Sequence, residues 1–209
     1  MFNLIYLLDT YKLKQMKNFY IFTIIIVLLS NLGCQKEKLD TIITISGVVK
    51  NAKDSILTIA LGRVNKEIKL TPDGRFLDTL KVEKSKIYRM FFNRSKSGFI
   101  FLKNGYNLEL TGDADNFFYG FEYKGTGADS NNLLIAQHNY SKKTGSPKSF
   151  MALDEAGFKL KMERINREID SISNSYSNAD TILVNIANKN KERFAYVIEN
   201  MYHQNYGFE

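Results

Sequence analysis

The 209-residue chain has one cysteine, two histidines, two prolines and no tryptophan. Each shortage excludes a class of protein. A lone cysteine cannot pair within its own chain, which removes disulfide-stapled scaffolds and every dithiol mechanism. It also removes multi-cysteine zinc sites, and two histidines leave little for another metal centre, so no cofactor or metal is expected. Scarce proline, 13 glycines and 44% hydrophobic residues exclude collagen-like, low-complexity and intrinsically disordered chains. What remains is one domain, or two small ones, with an ordinary core.

Long apolar runs are also missing. The run from Phe19 to Leu29 has about eleven residues, well below the ~20 that a membrane-spanning helix needs. It follows a basic start at Met16-Lys17 and leads through Ser30 and Gly33 into Cys34, the plan of a secretory signal peptide. A cysteine directly after such a run resembles a bacterial lipobox, with Leu32 and Gly33 in place and Asn31 departing from the usual aliphatic residue. On that reading Cys34 becomes the mature first residue and carries palmitate-type acyl chains, which hold the protein on a membrane without a spanning helix. The alternative is an uncleaved signal anchor with an incidental cysteine. Residues Met1 to Gln15 put a mixed stretch before the basic start. Translation is expected to begin at Met16, or else the leader is long.

Beyond Cys34 the texture changes twice. A polar tether over 35–40 gives way to β-branched and aromatic residues punctuated by turns, and after about residue 125 to helical spacing. Alternation predicts strands at Thr41–Lys50, Ser55–Arg63, Lys66–Leu70, Phe76–Val82, Ile87–Asn93, Gly98–Lys103, Tyr106–Thr111 and Phe118–Lys124. Thr71-Pro72-Asp73-Gly74 reads as a type I turn with a bulge, and Asn104-Gly105 as a two-residue hairpin turn. Short strands and tight turns predict an antiparallel β-meander or sandwich over 41–125. A helical region over 126–209 is expected to pack on it, making the chain α+β.

Ser130 and Asn131 can cap a first helix carrying Leu133, Leu134 and Ile135. After a break at Thr144-Gly145-Ser146-Pro147, Met151, Phe158, Met162, Ile165, Ile169, Ile172 and Tyr176 form an apolar seam. Leu183, Ala187, Asn190, Phe194, Val197 and Met201 form a second one. Two such helices with a short connection predict an antiparallel hairpin packed on itself and on the sheet.

Three stretches in this order carry a family resemblance. They are the cysteine after the apolar run, Phe101-Leu102-Lys103-Asn104-Gly105-Tyr106-Asn107-Leu108-Glu109-Leu110, and Tyr123, Gly125, Gly127, Ala128 and Asn131 leading into helices. From about Thr41 onward the chain resembles the amino-terminal module of Bacteroidetes-type TlpA-like thiol-disulfide oxidoreductases, a module of unknown function. The resemblance implies a thioredoxin domain with a Cys-x-x-Cys pair beyond the module. This sequence ends at Tyr206-Gly207-Phe208-Glu209 without one. Thiol-disulfide exchange needs an attacking thiolate and a resolving cysteine, so no redox residue carries over. A natural stand-alone module and a truncated or accessory part of a thiol-disulfide reductase system are both compatible with this.

Other candidate chemistry is thin. His138 and His203 lack a local orienting carboxylate and are expected to be solvated rather than catalytic. Asp113 and Asp115 lack the further acceptors of a calcium loop. Lys84, Lys86, Arg89, Arg94 and Lys96 interleave with Tyr88, Phe91 and Phe92, but on a strand of period two those aromatics are needed by the core. Without the first 34 residues, 26 basic and 21 acidic residues remain, a net +5 that suits a solvated surface with mild attraction to anionic head groups. No nucleic-acid partner is expected.

Five tripeptides of the form Asp-Ser/Thr-aliphatic begin at Asp40, Asp54, Asp78, Asp170 and Asp180. The form resembles the O-glycosylation acceptor of exported Bacteroidetes proteins, which implies Thr41, Ser55, Thr79, Ser171 and Thr181 as acceptors. The same residues suit turn exits and helix caps. The sequence therefore predicts a cell-envelope lipoprotein with a non-catalytic binding module and a protein or peptide partner. It would sit in the outer membrane facing the periplasm or the surface, or alternatively in the inner membrane.

Overall fold

The computed structural model describes residues 42–52, 56–92 and 96–206. Cys34, Thr41, Ser55 and Arg94 lie outside them. Strands and helices belong to one compact unit, Asp40–Glu209. Eight strands come first: β1 Ile43–Lys50, β2 Ile56–Ala60, β3 Asn65–Lys69, β4 Arg75–Leu80, β5 Lys86–Phe92, β6 Lys96–Leu102, β7 Asn107–Asp113 and β8 Glu122–Thr126. Helices α1 Ala128–Lys143, α2 Lys148–Met151, α3 Glu155–Asn174 and α4 Thr181–Tyr206 follow. The fold is α+β, two four-stranded sheets and a carboxy-terminal helical segment, as the texture of the sequence predicts.

The first sheet has the order β4-β1-β7-β8 and the second β3-β2-β5-β6. Every pairing is antiparallel except one: β1 runs parallel to β7, with Ile45 opposite Leu108. The inner rows of both sheets meet in one core. Ile43, Ile45, Leu108 and Leu110 of the first sheet and Leu57, Ile59, Met90 and Ile100 of the second are all fully buried. Each such side chain contributes about 1.5–3 kcal/mol by leaving water.

The turn over Thr71–Gly74 is the expected one: the Gly74 N–H donates to the Thr71 carbonyl (2.8 Å), the Thr71 N–H to the Arg75 carbonyl (2.9 Å), and Gly74 sits at φ 79. A Cβ on Gly74 would meet the Val49 carbonyl oxygen at 2.1 Å, so the position demands glycine. Asn104-Gly105 departs from its hairpin signature. It joins β6 of one sheet to β7 of the other, because β7 completes the first sheet beside β1 instead of returning along β6. The Asn104 side chain holds this corner by accepting from the Val82 N–H (3.0 Å) and donating to its carbonyl (2.9 Å).

The last strand is shorter than its alternation suggests. Phe118 to Phe121 belong to a turn that folds Phe117, Phe118 and Phe121 into the core, with Phe118 at φ 71. Gly98 makes room for it, since a Cβ there would stand 2.6 Å from that of Phe118.

The hairpin is antiparallel: Phe158 near the start of α3 stacks on Tyr202 near the end of α4, with ring centroids 3.9 Å apart, and Lys191 pairs with Asp170 at 2.5 Å. Phe150, Phe158, Met162, Ile165, Ile198 and Tyr202 form a second small core. The α4 seam differs from the expected one beyond Phe194. Ile198 and Tyr202 are buried, whereas Val197 and Met201 are 44% and 40% exposed. The Tyr202 ring turns that register inward, anchored by its stack on Phe158 and by its hydroxyl donating to the Leu153 carbonyl (3.0 Å). Among the described residues no helix is long and apolar enough to cross a membrane.

Candidate functional site: a cleft between sheet and helices

The cleft arises from how α1 is fixed. Gly127, at φ 93, turns the chain from β8 into the helix, so α1 starts at Ala128. Ser130 and Asn131 therefore lie inside the first turn and are not its caps; both are buried. Asn131 accepts from the Phe101 N–H (2.8 Å) and donates to the Phe101 carbonyl (3.1 Å). Asn132 does the same for Tyr123, at 2.9 Å in both directions. Phe101 is on β6 and Tyr123 on β8, one edge strand of each sheet. Two neighbouring amides thus satisfy an outward-facing peptide on each edge, which fastens α1 across the open side of the sandwich and blunts both edges against further pairing.

Ser130 performs a matching task for α4. Its hydroxyl accepts the Asp180 N–H (2.8 Å) and lies 3.3 Å from the Tyr106 hydroxyl. The Asp180 carboxylate caps α4 by accepting the Ile182 N–H (2.9 Å) and binds the Lys103 ammonium at 2.7 Å. That bond holds the Lys103 ammonium above its usual range.

So held, the helices cover part of the outer face of the second sheet, where Ile87 and Phe99 project. Opposite them stand Leu134 and His138 of α1, Ile165 and Ile169 of α3, and Ala187 and Phe194 of α4. They enclose a cleft of about 350 Å³, with Gln137, Asn190 and Lys191 among its polar lining residues. Ala187 carries the smallest side chain of the lining. The size lies at the lower end of the usual range for small-molecule sites, about 300–1,000 Å³.

His138 is the titratable group of this cleft that the sequence reading misplaced. It is half-buried rather than solvated, edge-on to Phe118 (5.2 Å) and beside Tyr119, whose hydroxyl is 3.3 Å from its Nε2. Burial, assisted by the Lys142 charge, pushes its pKa below the ordinary 6.5. His203, by contrast, is exposed and lines a different, smaller cleft with Glu155, Phe158 and Tyr202. The two histidines are not brought together.

The Asp113–Asp115 loop is occupied by protein donors. Asn51 Nδ2 donates to both Asp113 oxygens (3.1 and 2.9 Å), and the Asp115 N–H donates to one of them. That backbone donor first, and Asn51 second, hold the Asp113 carboxyl below its usual range. Lys96 reaches the Ala114 carbonyl at 2.5 Å. Among the described residues no group of three or more His, Cys, Asp and Glu could hold a metal ion. Tyr88 and Phe92 of the basic strand are in the core, while Arg89 lies 5.0 Å over the Phe91 ring.

Of the suggested acceptors, Thr79 on β4, Ser171 on α3 and Thr181 at the start of α4 are exposed. The aspartates before them have structural partners: Asp78 binds Lys66 (2.7 Å), Asp170 binds Lys191 and Asp180 caps α4. The sequence marks Asn104 as a turn residue and Asn131 as a helix cap, but the clamping role of these two and of Asn132 is not legible in it, because an amide that bonds a distant peptide leaves no local pattern. Compared with protein-family models, curated proteins and solved structures, the chain matches none.

Proposed function

We propose that this chain is a cell-envelope lipoprotein anchored through Cys34, and that its globular part is a binding module without catalytic chemistry that receives a largely apolar small molecule in the cleft between the second sheet and the helices. The observation that carries the binding role is the cleft itself: seven apolar side chains from a sheet and three helices converge on it, alongside the half-buried His138. Such a surface gains free energy when an apolar guest displaces water. The address rests on the apolar run Phe19–Leu29 that leads into Cys34. The resemblance to the TlpA-like module agrees with an exported location.

The two halves of this reading are tested separately. Metabolic labelling with palmitate is expected to mark the protein and to fail for Cys34→Ser; label that persists without the cysteine defeats the anchor. For the cleft, the purified protein is expected to enhance the fluorescence of N-phenylnaphthylamine. Ala187→Phe, which fills the space, and Asn190→Trp, which narrows the exposed mouth, should each abolish the enhancement. Unchanged enhancement in both variants would mean the dye binds elsewhere.

A further inference from the structure

We infer that one pole of the sandwich, the end at which β1 begins, docks on an anionic lipid surface. The inference rests on the lipoprotein reading, and it adds an orientation to it. Cys34 and Ile42 are eight residues apart, so even a fully extended connection spans only about 28 Å. The start of β1 is therefore kept within that distance of whatever holds the anchor.

Strand register identifies what shares that pole. Ile43 lies opposite Leu80, and Thr44 opposite Asn107, so the loops after β4 and before β7 flank the start of β1. Those loops, residues 81–85 and 103–106, run to the second sheet, where Lys86 lies opposite Leu102. Ala60 lies opposite both Asn65 and Arg89, which places the β2–β3 turn at the same end. Four exposed cations project from these segments without an ion pair among the described residues: Arg63, Lys81, Lys84 and Lys86. A fifth, Lys103, is bound by Asp180. The facing acids are Glu83, Asp129 and Asp180, and Asp129 accepts the Asn178 N–H (3.1 Å). Two apolar side chains stand among the cations, Ile42 at 54% and Val64 at 71% exposure. At the opposite pole Arg75 and Lys96 have carboxylate partners in Asp73 and Asp115, while Lys50 and Lys69 are exposed there without an ion pair among the described residues. What distinguishes the first pole is therefore its combination of cations with exposed Ile42 and Val64 and its nearness to the anchor.

Unpaired cations around exposed aliphatic side chains, presented by an end that the anchor confines near a bilayer, complement anionic head groups over an apolar interior. Each cation near an anionic surface changes partition roughly fivefold. The rim of that end would then meet the membrane, while the Thr71–Gly74 turn at the other end points into solvent.

The test uses the full protein reconstituted through its own anchor. Acylation occupies Cys34, so an introduced cysteine is the single free thiol and takes an environment-sensitive fluorophore. Val64→Cys reports on the proposed face and Asp73→Cys on the opposite pole. In phosphatidylethanolamine vesicles containing phosphatidylglycerol, head-group spin labels are expected to quench the Val64 label and spare the Asp73 label. Quenching should weaken without phosphatidylglycerol, at about 1 M salt, where the Debye length falls to about 3 Å, and in the triple variant Arg63→Glu, Lys81→Glu, Lys84→Glu. Equal quenching at the two positions, or quenching indifferent to the charge reversals, overturns the orientation. Mass analysis of the same sample separates the two claims. Acylated protein without the quenching difference defeats the docking alone, and protein lacking acyl chains defeats both.

Discussion

Tyr123 buries its whole side chain in the core, and its hydroxyl has no partner among the described residues. Burial alone pushes its pKa above the ordinary phenolic value. A stranded hydroxyl costs desolvation without return, so Tyr123→Phe is expected to leave stability unchanged or raise it by about 1 kcal/mol in urea denaturation. His138 gives a prediction with a pH sign. Its folded pKa is lowered from 6.5, so between the two values the unfolded chain binds the proton and the folded one does not. The contribution is fully present above pH 6.5 and is lost as pH falls through the lower folded value. Denaturation midpoints measured from pH 7.5 to 5 should fall more steeply for the natural chain than for His138→Phe; parallel curves would show that His138 does not carry the slope.

At the scale of elements, the first turn of α1 is the organising piece. The Asn131 amide satisfies both peptide groups of Phe101 in a buried setting, and truncation strands them. Asn131→Ala is expected to cost roughly 2–6 kcal/mol, from two buried groups at about 1–3 kcal/mol each. Asn132→Ala should cost less, since its bonds to Tyr123 are only part-buried. Equal and small losses in both would mean that water replaces the clamps. Strand positions were legible because alternation on a pleated surface is a local property. Each of the eight expected strands has a counterpart, and the Phe118–Lys124 stretch shortens because Phe118 and Phe121 turn into the core. Strand partners were not legible: Asn104-Gly105 satisfies hairpin geometry locally, yet β7 gains more by lying beside β1. The same limit applies to α4, where spacing alone does not choose between Val197 and Ile198, and the Phe158–Tyr202 stack does.

For the whole molecule, the hairpin and the sandwich are joined at few polar points, and Asp180 is the densest of them, with its side chain 7% exposed. Asp180→Ala removes the α4 cap and the Lys103 partner together. Hydrogen exchange is expected to speed up across the first turns of α4 while the β1 and β5 amides keep their protection. Uniform acceleration would instead mean that the hairpin and the sheets open as one unit. The cleft depends on the same joint, because its walls belong to different elements: Ile87 and Phe99 come from the sheet, and Leu134, Ile165 and Ala187 from three helices.

Composition and local spacing by themselves determined the α+β class, the order of strands before helices, the Thr71–Gly74 turn and the absence of any dithiol in the chain, since each depends only on residues near one another or on a count. Tertiary structure alone decided that β1 and β7 run parallel, that Asn131 and Asn132 fasten two sheet edges, that His138 is half-buried against Phe118, and that a cleft opens beside Ala187. Those features depend on which distant groups meet once the core has closed, and the free energy that selects them comes from burying surface and satisfying peptides across the whole fold.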